Sequence, residues 1–471
     1  VARAGRVALW VLCAAVTACG DNPATAPTPL TATSVAVEAD SGAFSTTLEI
    51  TLSAASGVQV DYWTDAAPRL RVIRPDPQPD HSVFLPGLRA GQVYDYEIRA
   101  FRRGLAGASL YQGQLSTDTL PSDLAALHFS SLGTPTFRLT MLELRGTPFS
   151  GYVIVDQDGA VVWFRRGIAE SFARRANGDF VLLDGSTGLT EVRPDLTVVA
   201  SLPNTDDLAM HHDVIRTPAN TLLFLAHDTT TFQGEIWQTD AIWEWDPDAG
   251  SVTRRWRAAD FLSPGTDFGP HSSAGDWLHA NSLALGPRGN VLISLPALNQ
   301  IISIAPDYRS LEWRLGGPNA TIVPDASAEF WFEHTAAEIA PDRVLIFDNG
   351  RDRPSGHFSR GLELQLDRDK GTATVAWEFR PQPTIYAPIV GSSRRLATGH
   401  TVVSFGLQPG ILGSTGPIAA YEVTDDGQVG WILRVTGGQE LNYRSTALDD
   451  IAGETVVAKD GLGARAAGSV P

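Results

Sequence analysis

The sequence predicts an all-β protein, a small β-sandwich followed by a six-bladed β-propeller, and three observations carry that prediction. The 471 residues are 43% hydrophobic, with 44 Gly and 30 Pro, which suits short strands and many turns better than long helices. From Leu124 onward the chain repeats a unit of strand-like segments divided by turns such as NGD, PAN, PRGN, APD and ATG. The later half of each unit ends on a Trp-bearing segment, as in IWEWDPDAGSVTRRWR, IISIAPDYRSLEWRL, GLELQLDRDKGTATVAWEF and IAAYEVTDDGQVGWIL. Units open near Glu170, His212, Asn281, His334, Gly391 and Ser445, and steps of about 40–70 residues with four strands each are propeller blades. The sixth would be completed by strands from Leu124 to Phe164, closing the ring with both ends of the array. A seventh blade is the alternative count.

Ahead of the array, Arg3 and Arg6 precede an apolar run from Val7 to Ala18 that is too short to span a bilayer as an anchor. The run ends in Val16-Thr17-Ala18-Cys19-Gly20, which resembles the lipobox of bacterial lipoproteins. That resemblance implies cleavage before Cys19 and lipidation of its thiol. Residues 1–19 are therefore expected to be a lipoprotein signal peptide, and the protein to be exported and membrane-anchored, in the periplasm or at the cell surface. An ordinary signal peptide with a chance cysteine is the alternative. The other cysteine, Cys13, falls in the part that would be removed, so the mature chain would hold no internal disulfide. Residues 20–33, rich in Pro, Ala and Thr, read as a flexible tether.

Residues 34–120 carry short strand patterns, among them SVAVEA, TTLEITLSA, VQVDYWT, DYEIRAF and ASLYQGQLST. Between them, Leu85-Pro86-Gly87-Leu88 and Tyr94-Asp95-Tyr96 resemble the corner of fibronectin type III-like sandwiches, where a leucine and a tyrosine pin the crossing between sheets. This domain carries no evident chemistry and reads as a support. Residues 124–471 form the propeller, the expected catalytic domain.

A formal net charge of −17 without a basic stripe excludes a nucleic-acid partner. No phosphate-binding loop, dinucleotide fingerprint or zinc-protease helix motif is present. Gly185-Ser186-Thr187-Gly188 lacks the strand–turn–helix context of a nucleophile elbow, and Asp246-Pro247-Asp248 lacks the remaining ligands of a calcium loop. No cofactor is expected.

The chemistry concentrates in histidines at matching places of the repeat. His212 stands ten residues before the apolar run at Leu222, His334 ten before Val344, and Asn281 ten before Val291. His279 lies two residues before Asn281, and a strand period of two would aim both at one face. First strands of propeller blades line a shared channel, so His212, His279, Asn281 and His334 are expected to converge in its mouth. The alternative is that they satisfy one another around ordered water.

Asp276-Trp277-Leu278-His279-Ala280-Asn281-Ser282 resembles the D-W-x-H-x-N-S element of bacterial arylsulfate sulfotransferases, which need no nucleotide sulfate donor. Glu333-His334-Thr335-Ala336 with Phe347-Asp348-Asn349-Gly350 resembles their second histidine element, and His211-His212-Asp213 an earlier one. Residues 359–379, then Tyr386-Ala387-Pro388 and Gly391-Ser392, continue the likeness. The resemblance implies transfer of a sulfuryl group from a phenolic sulfate ester to a phenol through a sulfated histidine. It implies His334 as nucleophile, His279 and His212 as sulfuryl-binding or proton-transferring groups, Asn281 as a hydrogen-bond donor to developing charge, and Tyr386 at the rim as a holder of the aryl ring.

In one place the chain departs from that pattern. The family carries an arginine in the strand after the H-x-N element, and Pro296 occupies that position here. Arg444, Arg351 or Arg353 would have to reach in to replace it. Two other readings therefore stand beside the enzyme: a non-catalytic ligand-binding or scaffold propeller on a lipid anchor, and a metal site built from the three imidazoles, against which no carboxylate or cysteine stands in register.

Overall fold

A computed structural model describes residues 29–39, 44–439 and 441–452. The signal peptide, Cys19 and most of the tether lie outside the described residues. The described chain is almost entirely antiparallel β-structure, and none of its helices is long and apolar enough to cross a membrane. It falls into two compact units, one ending at Leu120 and joined by Asp450–Ala452, the other spanning Pro121–Asp449.

The N-terminal unit begins with strand Ala32–Ala39, so pairing starts inside the stretch expected as tether. Instead of two separate sheets, one continuous ladder of five strands is formed. Strand Thr46–Thr64 pairs along one edge with Ala32–Ala39 and then with Val93–Arg102, and along the other with Ala67–Leu85. Its register shifts between Thr51 and Val58, around Gly57, where a Cβ would lie 2.7 Å from the Phe101 and Pro75 carbonyl oxygens. Bulges of this kind bend a strand without ending it, which lets one ladder cover both halves. The Leu–Tyr corner forms locally: Leu85, Leu88 and Tyr94 are fully buried, and the Tyr94 hydroxyl accepts the Arg89 N–H at 2.9 Å. Beside it the Tyr62 hydroxyl donates to the Pro86 carbonyl at 2.7 Å.

In the second unit the repeats fold into six antiparallel sheets of at least four strands among the described residues. Their first strands are Ala169–Arg174, Met210–Arg216, Ser282–Leu285, His334–Ala340, Ser392–Arg395 and Leu441–Leu448. Each of these touches the next, and the last touches the first, so the order is circular. The sheet holding Leu441–Leu448 is completed by Leu139–Arg145, Gly151–Asp156 and Val161–Arg166 from the far end of the unit. The preceding sheet receives His128–Gly133 as a fifth strand against Val429–Thr436. Fourth strands carry Trp163, Trp256, Trp313 and Trp431, each nearly or wholly buried, and their rings fill the widening space between neighbouring sheets. A sheet is apolar on both faces here because each face is covered by another sheet, so the core is a chain of inter-sheet clusters.

Tyr94→Phe would remove the hydroxyl that accepts the Arg89 N–H, at a cost of about 0.5–1.5 kcal/mol. Hydrogen exchange should show protection lost across residues 46–116 and unchanged across 121–449. Equal loss in both units would contradict separate stabilisation.

Candidate functional site

Several first strands are not regular where the site forms. The register skips between His211 and Val214, between His334 and Ala337, and between Asn442 and Ser445. Extra residues on one strand, two after His211 and one each after His334 and Asn442, re-aim the side chains of the bulged pairs, which are His212-Asp213, Thr335-Ala336 and Tyr443-Arg444. His212 (φ 58°), His279 (φ 56°), Phe332 (φ 55°), Thr335 (φ 51°) and Val390 (φ 56°) all hold left-handed backbone without being glycine. Each such residue costs on the order of 1 kcal/mol or more, and strain of this sort persists only where the surroundings impose it.

Two of the bulged residues make the floor. Arg444, 1% exposed, binds Asp213 Oδ1 at 2.5 Å, the Asn281 carbonyl at 2.8 Å and Ser171 Oγ at 3.3 Å. Asp213 also accepts from Ser171 Oγ at 2.7 Å and from the Leu283 N–H at 2.7 Å. Burial opposes the charge on Arg444, but Asp213 and its other anionic neighbours outweigh that and hold the guanidinium protonated. Expected as a substrate ligand, Arg444 instead spends its two terminal nitrogens on the protein.

Above the floor stand the rings. His212 and His279 lie 5.1 Å apart between centroids, and Tyr443 is 5.9 Å from His212 and 6.0 Å from His334. Phe332 is 5.6 Å from His279 and 6.1 Å from His334. The three expected histidines are thus brought into one aromatic-lined cluster. His279 precedes the strand that begins at Ser282, and its left-handed backbone separates it from Asn281. The expectation that strand alternation aims both at one face is therefore corrected. The His279 side chain is 30% exposed and its Nδ1 lies 2.6 Å from Asp276 Oδ2, whereas Asn281 is fully buried. The Asn281 amide nitrogen donates to the Glu333 carbonyl at 2.9 Å, across two sheets, and its Oδ1 has no partner among the described residues.

The protonation of His334 follows from its neighbour. Asn349 donates through Nδ2 to the Ala387 and Val390 carbonyls, both at 2.7 Å, which turns its Oδ1 toward His334 Nδ1 at 2.8 Å. An acceptor facing Nδ1 puts the proton there and leaves the lone pair on Nε2, which lies 3.3 Å from the Val390 N–H. Burial and then the His279 and Arg444 charges push His334 down to about 3, with the Asn349 hydrogen bond opposing. His212 is driven well below its usual value, by burial first and then by His211, His279 and Arg145. Both rings are neutral at physiological pH.

No arginine comes from the strand after the H-x-N element: Pro296 starts a buried turn, Pro296–Leu298, that ends in left-handed Asn299. Asn299 Oδ1 receives the Phe332 N–H at 2.8 Å, so this departure helps fix an aromatic of the site. Arg353 is bound to Asp348 at 2.6 Å, while Arg351 lies 4.6 Å over Phe332 and is 38% exposed. Arg145 was not foreseen. It sits 5.3 Å over the Tyr443 ring, 3.5 Å from Glu170, bonds the Ala169 carbonyl and remains 27% exposed. Its position comes from pairing between the two ends of the unit, Leu441 with Arg145, which no local spacing encodes. Phe332 was foreseeable, since it precedes His334 by two residues just as His279 precedes Asn281. Tyr386 is 8% exposed, tied through its backbone to Thr415 and 5.0 Å from the His357 ring. A separate cavity of about 530 Å³, lined by Phe268, Pro270, Leu298, Phe330 and Trp331, contains none of the histidines.

Among the described residues, one set of histidine and carboxylate ligands is close enough to share a metal ion, and it is not the three expected imidazoles. It comprises His211, His227 and Asp240.

With this geometry in place, comparison with known proteins settles the family. The arylsulfotransferase (ASST) family model matches residues 134–444. The chain belongs to that family. It is 26% identical over 183 residues to the arylsulfate sulfotransferase AssT of Escherichia coli O6:H1, a stretch covering 31% of this chain and 30% of that protein. The chain is thus matched to less than a third of its curated relative's length. Among solved structures it is similar to a protein of unknown function from Bacteroides caccae (13% identity, TM-score 0.43, 65% of this chain and 98% of that one). It is also similar to a virginiamycin B lyase from Staphylococcus aureus (10% identity, TM-score 0.33, 66% and 99%).

Burial also raises Glu333 to about 8; its Oε1 accepts Ser294 Oγ at 3.0 Å. A carboxyl whose folded value exceeds its unfolded value keeps its proton in the fold and loses it on unfolding between the two, so stability falls as pH rises from about 4.5 to 8. Glu333→Gln should therefore unfold later than the parent at pH 8 and at the same temperature near pH 4.5. A parallel shift at both would mean that Glu333 is ionised in the fold.

Proposed function

We propose that this arylsulfotransferase moves a sulfuryl group from a phenolic sulfate ester to a phenol through a covalent sulfohistidine at His334. The observation that carries the reading is the Asn349–His334 pair, which supports a neutral ring with its lone pair on Nε2. That lone pair attacks sulfur, the S–O bond to the aryl oxygen breaks, and the departing phenolate takes a proton from His279, with the neutral His212 ring as a hydrogen-bond donor beside it. The acceptor phenol then gives its proton back to His279 as its oxygen attacks the sulfur, and His334 is released. The Asp276–His279 pair resembles other acid–base dyads: the carboxylate holds and orients the ring. The Val390 N–H, freed from Nε2 when that atom bonds sulfur, would donate to a sulfuryl oxygen. Phe332 and Tyr443 offer faces for the aryl ring, with Tyr386 further out. Arg145 takes the place of the family arginine as the cation at the sulfuryl group, with Arg351 behind Phe332.

The six sheets are read as six propeller blades, with residues 124–471 as the catalytic domain and residues 34–120 as its support. Export on a lipid at Cys19 completes the proposal, supported by the lipobox-like residues alone. The mass of the mature N-terminal peptide checks it, and an unmodified Cys19 would remove the anchor.

The purified protein, incubated with an aryl sulfate and phenol, should form the new ester and carry a transient sulfate on His334 detectable by mass spectrometry. His334→Ala should lower transfer by more than about a thousandfold. Arg145→Gln should lower kcat by about a hundred- to a thousandfold. One observation favours a second reading, a binding propeller without catalysis: Pro296 stands where the family arginine would be. Failure of transfer across a broad panel of aryl sulfates would select it.

A further inference from the structure

From the positions of His211, His227 and Asp240, we propose a binding site for one divalent transition-metal ion of the zinc class beside the histidine cluster. The three residues come from one sheet. His211 lies on the first strand, while His227 and Asp240 face each other across the hairpin of Leu222–Phe232 with Glu235–Asp246, as a directly opposed pair. Their ligand atoms all lie within 4.8 Å of one another. His211 Nε2 is 3.1 Å from Asp240 Oδ1, and His227 Nδ1 is 3.9 Å from the same oxygen. Ligands at about 2.0–2.2 Å around a tetrahedral zinc stand roughly 3.3–3.5 Å apart, so the spacing brackets what the ion needs.

A second, independent observation points to a cation. His211 Nε2 is buried beside the Asp240 carboxylate and has no hydrogen bond there. The ring's other nitrogen, Nδ1, is 2.9 Å from His212 Nδ1, and one of these two must donate. When His211 supplies that proton, its Nε2 carries a lone pair facing a carboxylate, a repulsive contact that a metal ion between them converts into two bonds. An outer contact suited to such a site is present, since Asp240 Oδ2 accepts the Ala280 N–H at 3.2 Å; Gln238 Nε2, 3.2 Å from His227 Nδ1, gives up that nitrogen to the metal when the ion binds. The His211 and His227 rings stack at 4.0 Å and 18°, so binding requires the His227 ring to turn. Its side chain is 38% exposed, which leaves room for that turn and for a water or anion as fourth ligand.

One consequence rests on the sulfotransferase reading. A metal on His211 Nε2 fixes the proton on Nδ1, so His212 must accept at Nδ1 and present its only proton at Nε2. In that state His212 is a donor toward the leaving oxygen.

The test reads the metal and not the activity. The full chain, stripped with a chelator, is titrated with Co²⁺ and followed by its visible d–d absorption, with Zn²⁺ as competitor. One Co²⁺ per chain, displaced by Zn²⁺, is expected. His227→Ala and Asp240→Asn should each weaken binding by more than the roughly 10–100-fold that loss of an outer-shell partner costs. Because His227 is half-exposed, circular dichroism should find His227→Ala folded. His334→Ala, outside this ligand set, should bind as the parent does. No Co²⁺ spectrum, or one that survives His227→Ala and disappears in His334→Ala, overturns the site while leaving the sulfohistidine proposal to its own assay.

Discussion

The Asp213 carboxylate is the interaction on which the rest of the second unit depends. It receives the Arg444 guanidinium, the Ser171 hydroxyl and the Leu283 N–H, so one buried anion joins the first strands of four sheets. An ion pair this deep gives up its hydration, and its worth is in geometry: any arrangement that separates Asp213 from Arg444 strands a charge in the interior. The pair thereby fixes how the chain end carrying Arg444 meets the beginning of the ring. The bulges that supply Asp213 and Arg444 also aim His212 and Tyr443, and the structural and chemical roles are carried by adjacent residues for that reason.

Burial then sets the electrostatics above that floor. Imidazoles that feel one another's charge and that of Arg444 cannot all be charged, and desolvation keeps His334 and His212 neutral. Neutrality suits the proposed attack on sulfur by a nitrogen lone pair. In that proposal anion binding falls to arginine, and Arg145 and Arg351 are partly exposed beside the rings. Left-handed backbone within a strand at His212, and just ahead of strands at His279, Phe332 and Val390, is the local cost of directing these side chains and N–H groups into the site.

Much of this was legible in the chain because the repeat is local. The openings read near Glu170, His212, Asn281, His334, Gly391 and Ser445 fall within or beside the six first strands, since a four-strand hairpin unit writes its turns and apolar runs into contiguous sequence. The corner at Leu85 and Tyr94 was legible for the same reason. Alternation failed at His279, where a positive φ replaces the strand, and the two-sheet sandwich gave way to one ladder because bulges let a 19-residue strand bend through.

By itself, the sequence determined the β-repeat, the family and the three histidines that gather, because each is encoded over a few residues or at a fixed step. Only the tertiary structure decided which arginine stands by the rings, that Arg444 is part of the floor, and that Asp240 meets His211 and His227. Those facts follow from ring closure, bulges and cross-strand pairing, which bring together residues whose separation along the chain carries no record of their contact.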